Sequence, residues 1–193
     1  MTHARLAAPL TDGAAATALP GRVAALEALF RHVAATRMEG VPILHPDLAV
    51  RAVGFEPAPD GLGAVGVLVT PWFMNLVWLP LTEHDAEGRP LTALAVGATR
   101  MRAVGNERFD FIGAFEPGFG AYEACSLFSP MFEFADQATA LATAEQVLAI
   151  LRAPPPPVQS VGAEPARAVA PSPEPVPSRR ALLFGRGSAG AAQ

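Results

Sequence analysis

Three sets of residues in this chain of 193 have types and spacings that could do chemistry. Gly61, Gly63 and Gly66 in GLGAVG match the GxGxxG spacing that cradles a dinucleotide pyrophosphate. That spacing works where the glycines open a helix, whose first N–H groups face the phosphates. Here it leads into Val65, Val67 and Val69 at strand period and then into Pro71-Trp72, so no cofactor is expected there. Cys125 could serve as a nucleophile only beside a base, and His45 and His84 are the histidines left open to that role. A lone cysteine in an apolar neighbourhood reads first as a small core residue. Glu116 and Glu123 are close in sequence, yet nothing marks them as an acid and base pair. His3, His32, His45 and His84 have no ligand-like spacing, and one cysteine excludes both a disulfide framework and a multi-cysteine metal site. The expectation is a protein without catalytic residues, metal or cofactor.

The elements that must carry these residues follow from periodicity. Val23, Leu26, Leu29, Phe30, Val33 and Met38 form one stripe, which predicts an amphipathic helix from Gly21 to Met38, stopped by Gly40 and Pro42. Short apolar runs divided by turn residues come next: LAVRAVGF, GAVGVLVT, FMNLVWLP, LTALAVGATRMRAV and RFDFIGAFE. They predict a mainly antiparallel sheet of about five or six strands. YEACSLFSPMFEF fits either a final strand or an irregular crossing. ADQATALATAEQVLAILRA is helical, with Ala138, Leu141, Ala144, Val147, Leu148 and Leu151 on one side and Asp136 as N-cap. The fold class is therefore α+β, a sheet packed with an N-terminal and a C-terminal helix. Residues 1–19 read as a flexible start, 20–152 as one globular domain, and 153–193 as a mostly disordered tail. Nine of the twenty prolines lie between Pro154 and Pro177, which makes that stretch an extended linker.

Gly61 to Leu81 is 21 residues without a charge, long enough to span a membrane. Pro71, Asn75, three early glycines and the valine alternation favour two buried strands instead. The N-terminus has no apolar stretch of signal-peptide length, so the protein is expected in the cytoplasm. The formal net charge of -4 argues against nucleic acid as a partner. Residues 1–152 hold ten Arg and sixteen Asp plus Glu, a balance of -6, and residues 153–193 hold four Arg and two Glu, a balance of +2. An acidic body carries a mildly basic tail.

The most informative stretch is TPWFMNLVWLP, Thr70 to Pro80. Trp72, Phe73 and Met74 are consecutive, and a pleated strand cannot bury all three on one face. They read either as a core wedge or as an apolar binding surface. GVLVTPWFMNLVWLP resembles the signature of the HybE-type (HupJ-like) nickel-iron hydrogenase assembly chaperones, and GAFEPGFGAYEACSLFSPMFEFADQATALATAEQVL resembles that family's second half. The similarity covers about residues 20–152 and favours the binding surface.

The resemblance implies a cytoplasmic α/β chaperone with no cofactor, attending the precursor of the hydrogenase small subunit. The client's twin-arginine signal peptide would be shielded until its clusters are inserted and it pairs with the large subunit. Some relatives carry a rubredoxin domain, whose CxxC pairs are lacking here. A binder for such a signal needs an apolar groove, with Trp72, Phe73, Met74 and Trp78 as candidates and Asn75 beside them as a further client-binding residue. It also needs carboxylates for two guanidinium groups, with Glu107, Asp110, Glu116 and Glu123 as candidates. Two other readings stay open: a scaffold joining hydrogenase accessory proteins through the tail, and a small-ligand carrier whose Trp and Phe line a pocket.

The tail contains SRRALLF. Ser178, Arg179, Arg180 and Leu183 match the twin-arginine consensus S-R-R-x-F-L-K, whereas Leu182 stands where Phe is usual and Phe184 where Lys is usual. As an export signal it fails on position and lacks a following apolar region. It reads either as a plain arginine-containing end or as a mimic of the client signal that rests in the chaperone's own groove.

Overall fold

The computed structural model describes residues 12–82 and 91–154, with side chains described from residue 18 onward. The elements run α1 (Asp12–Ala35), β1 (Arg51–Pro57), β2 (Gly63–Val69), β3 (Met74–Pro80), β4 (Thr99–Val104), β5 (Glu107–Glu116), β6 (Gly120–Phe128) and α2 (Gln137–Arg152). Six strands form one sheet in the order β1-β2-β3-β6-β5-β4, with every named pair antiparallel. This is the α+β class expected from the apolar runs. The chain divides after Ala153. The tail residues Ser178, Arg179, Arg180, Leu182, Leu183 and Phe184 lie outside the described residues.

The uncharged run from Gly61 to Leu81 is the β2–β3 hairpin, in full register from Gly63–Pro80 to Val69–Met74. Among the described residues no helix is long and apolar enough to cross a membrane. Thr70 closes the hairpin. Its Oγ1 accepts from the backbone N–H of Phe73 at 3.0 Å and of Trp72 at 3.3 Å, and donates to the Phe73 carbonyl. A buried hydroxyl thus satisfies a turn that would otherwise leave N–H groups unpaired.

β2 and β3 are buried on both faces because a helix covers each side. Alternation along a strand sends Leu68, Val77 and Leu79 to the side of α1, where they meet Leu26, Phe30 and Tyr122. Val67, Val69, Met74 and Leu76 go to the side of α2, which buries Ala140, Ala144, Val147, Leu148 and Leu151. Asp136 caps α2 by accepting from the Thr139 N–H at 2.8 Å, as expected of an Asp at that position.

The end of α2 holds both edges of the sheet. Arg152 donates to Glu56 at 3.0 Å and to the Gly54 carbonyl at 2.5 Å on β1, while Asn106, in the β4–β5 turn, donates to the Ala153 carbonyl at 2.8 Å. Gly105 in that turn has φ +60°, and a Cβ there would collide with the Leu151 carbonyl. β1 and β4 are the two edge strands, so the sheet must curl around this helix end.

Several boundaries differ from expectation. α1 runs from Asp12 to Ala35, not from Gly21 to Met38, and contains Pro20. The alanine-rich residues before Pro20 are strong helix formers, which offsets the one hydrogen bond proline cannot donate. Only Thr99–Val104 of the run LTALAVGATRMRAV becomes a strand, because Gly97, at φ +80°, turns the chain before it. YEACSLFSPMFEF supplies both a strand, β6, and an irregular crossing that contains a cis Ser129–Pro130 bond.

Tyr122, the chain's single tyrosine, sits in the α1-side core. Burial first, then the Glu116 charge, push its phenol up to about 12, partly opposed by Arg37. Because the folded value is raised, the associated stability is complete below the ordinary phenol value of about 10 and is lost as pH rises through the folded value. Titration followed by phenolate absorbance should show ionisation well above pH 10, the ordinary value, and Glu116→Gln should bring it down.

Candidate functional site

A glutamate in the apolar strand segment AYEACSLF must find a cation, since an unpaired buried carboxylate is costly. Glu123 of β6 is 2% exposed. Arg102 of β4 takes both its oxygens, Nε to Oε2 at 2.5 Å and Nη2 to Oε1 at 2.9 Å. Arg100, two residues away on the same face of β4, adds one longer contact at 3.3 Å. The Arg102 guanidinium also lies 3.6 Å from the centroid of the Trp78 ring. That ring also rests against Gly63, where a Cβ would run into it. Gly63, Trp78, Arg102 and Glu123 therefore form one stacked and ion-paired unit on the face that the sheet curls around.

This arrangement places the expected guanidinium-binding acids in different situations. Glu123 does not offer the open carboxylate expected of it, because Arg100 and Arg102 already hold it. Glu116 is paired with Arg37 at 2.9 Å. Glu107 and Asp110 are exposed on β5.

The expected apolar groove is likewise divided. Met74 is fully buried and Trp78 is nine-tenths buried, both on the α2 side. Trp72 and Phe73 are part-buried on the other side, where both rings pack near Phe30. Asn75 is part-buried in β3 with its Oδ1 buried and unpartnered. Much of TPWFMN is thus turn and core: Ser129 Oγ donates to the Trp72 carbonyl and the His45 N–H to the Pro71 carbonyl. Cys125 is buried opposite Leu76. His45 Nδ1 accepts from the Asp47 N–H, and His84 lies outside the described residues. Among the described residues, no three His, Cys, Asp or Glu side chains are grouped so as to hold a metal.

Two features escaped sequence reading. One is the Arg100–Arg102 pair, whose signal was the two-residue spacing in TRMRAV beside a lone glutamate in an apolar strand. The other is the bare outer face of the β4–β5 ribbon, which neither helix covers. Met101 is 60% exposed and Ile112 51% exposed, and Met101 stands directly opposite Asp110.

Residues 21–185 match the protein family described as NiFe-hydrogenase assembly, chaperone, HybE. This chain belongs to the HybE family of hydrogenase assembly chaperones. Over 169 residues it is 46% identical to Protein HoxT of Cupriavidus necator, covering 86% of this chain and 89% of that relative. Over 138 residues it is 39% identical to the hydrogenase expression/formation protein HupT of Azotobacter chroococcum mcd 1, covering 70% and 87%. The solution structure of HybE from Escherichia coli superposes with a TM-score of 0.53 at 21% identity, covering 80% of this chain and 91% of that one, which shows a shared fold. The HybE family match reaches residue 185 and so includes SRRALLF.

Removing one partner of the buried pair should be far worse than removing both. We expect Glu123→Gln to cost about 3–5 kcal/mol, because Arg102 then lacks its counter-charge. Glu123→Met combined with Arg102→Met should recover most of that loss in urea denaturation.

Proposed function

We propose that this HybE-family chaperone is non-enzymatic and acts in the cytoplasm, where it binds the precursor of a NiFe-hydrogenase small subunit at its twin-arginine signal region until cofactor insertion and subunit pairing are complete. The observation that carries the reading is the outer face of β4–β5. It sets exposed Met101 and Ile112 beside the carboxylate of Asp110, with Arg108 next to Met101 on the same face and Glu107 turned to the opposite one. A signal region offers the complement: a guanidinium group for Asp110 and an apolar segment for Met101 and Ile112. Methionine suits this task because its flexible thioether adapts to varied apolar partners. Part-buried Trp72 and Phe73 offer a second apolar edge on the α1 side.

Pull-down with a peptide carrying the small-subunit signal tests the assignment. Met101→Ala with Ile112→Ala, and separately Asp110→Asn, should each weaken capture while leaving the melting temperature nearly unchanged. Undiminished capture by both variants would remove this face from the reading. Met74→Ala is a poor probe of binding, since emptying a fully buried site costs about 2–5 kcal/mol of stability by itself.

The family match through residue 185 supports a part for the tail as well. Ser178, Arg179, Arg180, Leu182, Leu183 and Phe184 would compete with the client signal for the same acidic and apolar surface. A flexible linker of about 25 residues would wander about 25–30 Å, enough to reach much of a small domain. Truncation after Arg152 should then raise the measured affinity for the signal peptide. Unchanged affinity would leave the tail without that role.

A further inference from the structure

The Arg102–Glu123 pair forms one wall of a half-open cleft of about 270 Å³, whose other walls come from Trp78, Pro80, Leu62 and the segment Leu91–Leu94. The charged side chains among its described lining residues are Arg100, Arg102 and Glu123, two cations and one anion. The division of that anion is unequal. Arg102 satisfies both carboxylate oxygens with short contacts, while the Arg100 side chain keeps one contact of 3.3 Å and is 41% exposed. Four of the five N–H groups of Arg100 are therefore left for another acceptor.

A second donor lies in the same wall. Trp78 is 7% exposed, and its Nε1–H is buried without an acceptor. An unpaired buried N–H is costly, so a ligand acceptor that reaches it is favoured.

We propose that this cleft binds a carboxylate, namely the terminal carboxylate of a peptide with an apolar last residue. Among the described lining residues the excess of one positive charge fits a monoanion. Glu123, held in the same wall, opposes a more highly charged group such as a phosphate. A carboxylate brings two acceptor oxygens that match the planar fork of Arg100. Leu62, Pro80, Leu91 and Leu94 supply the apolar contact that a bare inorganic anion would not use. This site is on the curled face, away from the outer face of β4–β5, and it stands whether or not the signal region binds there.

The chain has two tryptophans, so the indole N–H region of a correlation spectrum of the isotope-labelled full-length protein holds two signals, assigned through Trp72→Phe. The titrants are N-acetyl-Ala-Leu, its C-terminal amide, and acetate. The free-acid peptide should shift the Trp78 indole signal saturably and leave the Trp72 signal in place. The amide should bind at least about tenfold more weakly, and Arg100→Gln should reduce affinity for the acid by about tenfold, the loss expected for one charge-assisted hydrogen bond. Acetate reaching the same shifted position at higher concentration would show that the carboxylate is what the site reads and that the leucine side chain adds affinity. Acetate binding as tightly as the peptide would overturn the peptide assignment. Equal binding of acid and amide, an unmoved Trp78 signal, or full affinity in an Arg100→Gln variant that melts like the parent would each overturn the proposal.

Discussion

A carboxylate on a central strand that must be neutralised governs the curled face of this protein. Glu123 sits on β6 near the middle of the sheet, while the arginine that neutralises it comes from β4 at the edge. The strand between them presents Gly113 opposite Glu123, and the Leu94 and Ala95 carbonyls lie so close over it that a Cβ would not fit. The same guanidinium lies on Trp78, and Trp78 can lie flat only because residue 63 is glycine. One electrostatic requirement thus ties together four strands and fixes the local shape of a cleft. A buried ion pair of this kind contributes little net stability compared with apolar replacements, but its geometry is demanding.

The two helices leave surfaces of different character. α1 and α2 together seal β2 and β3, where apolar residues point both ways. Past β6 the α1-side cover runs out, and the β4–β5 ribbon faces outward with alternating exposed and buried residues. Its inner side carries Phe109 and Phe111 into the core; its outer side carries Asp110 and Ile112. The resulting surface is stiff, because its other face is packed, and yet adaptable, because Met101 is flexible. That combination suits recognition of a short segment better than a mobile loop would.

Much of the fold was legible because it depends on period. The alternation Phe109, Phe111, Gly113 named a half-buried strand, and Asp136 followed by an apolar helical stripe named α2 and its cap. The start of α1 was not legible, since Pro20 signals a helix boundary only when nothing stronger precedes it. The site was less visible for a related reason. Sequence shows that Glu107, Asp110, Glu116 and Glu123 are acidic but not which cation each already holds, and pairing across β4, β5 and β6 depends on register. TPWFMN carried the resemblance to the family. Its residues are partly explained by the Thr70 turn and by packing near Phe30, needs that any apolar run of similar length would not reveal.

The clamp at the end of α2 has a consequence for how the domain is made. Arg152 reaches back 98 residues to Gly54 and 96 to Glu56, among the longest-range contacts in the fold. During synthesis the N-terminal helix and the β1–β2–β3 meander emerge first, with one face covered and the other, Val67, Val69, Met74 and Leu76, still bare. Nothing can cover it until residues 137–152 leave the ribosome, and such non-local closure is slow. A protein that guards another's unfinished state thus passes through a vulnerable state of its own, ended by the last helix of its domain.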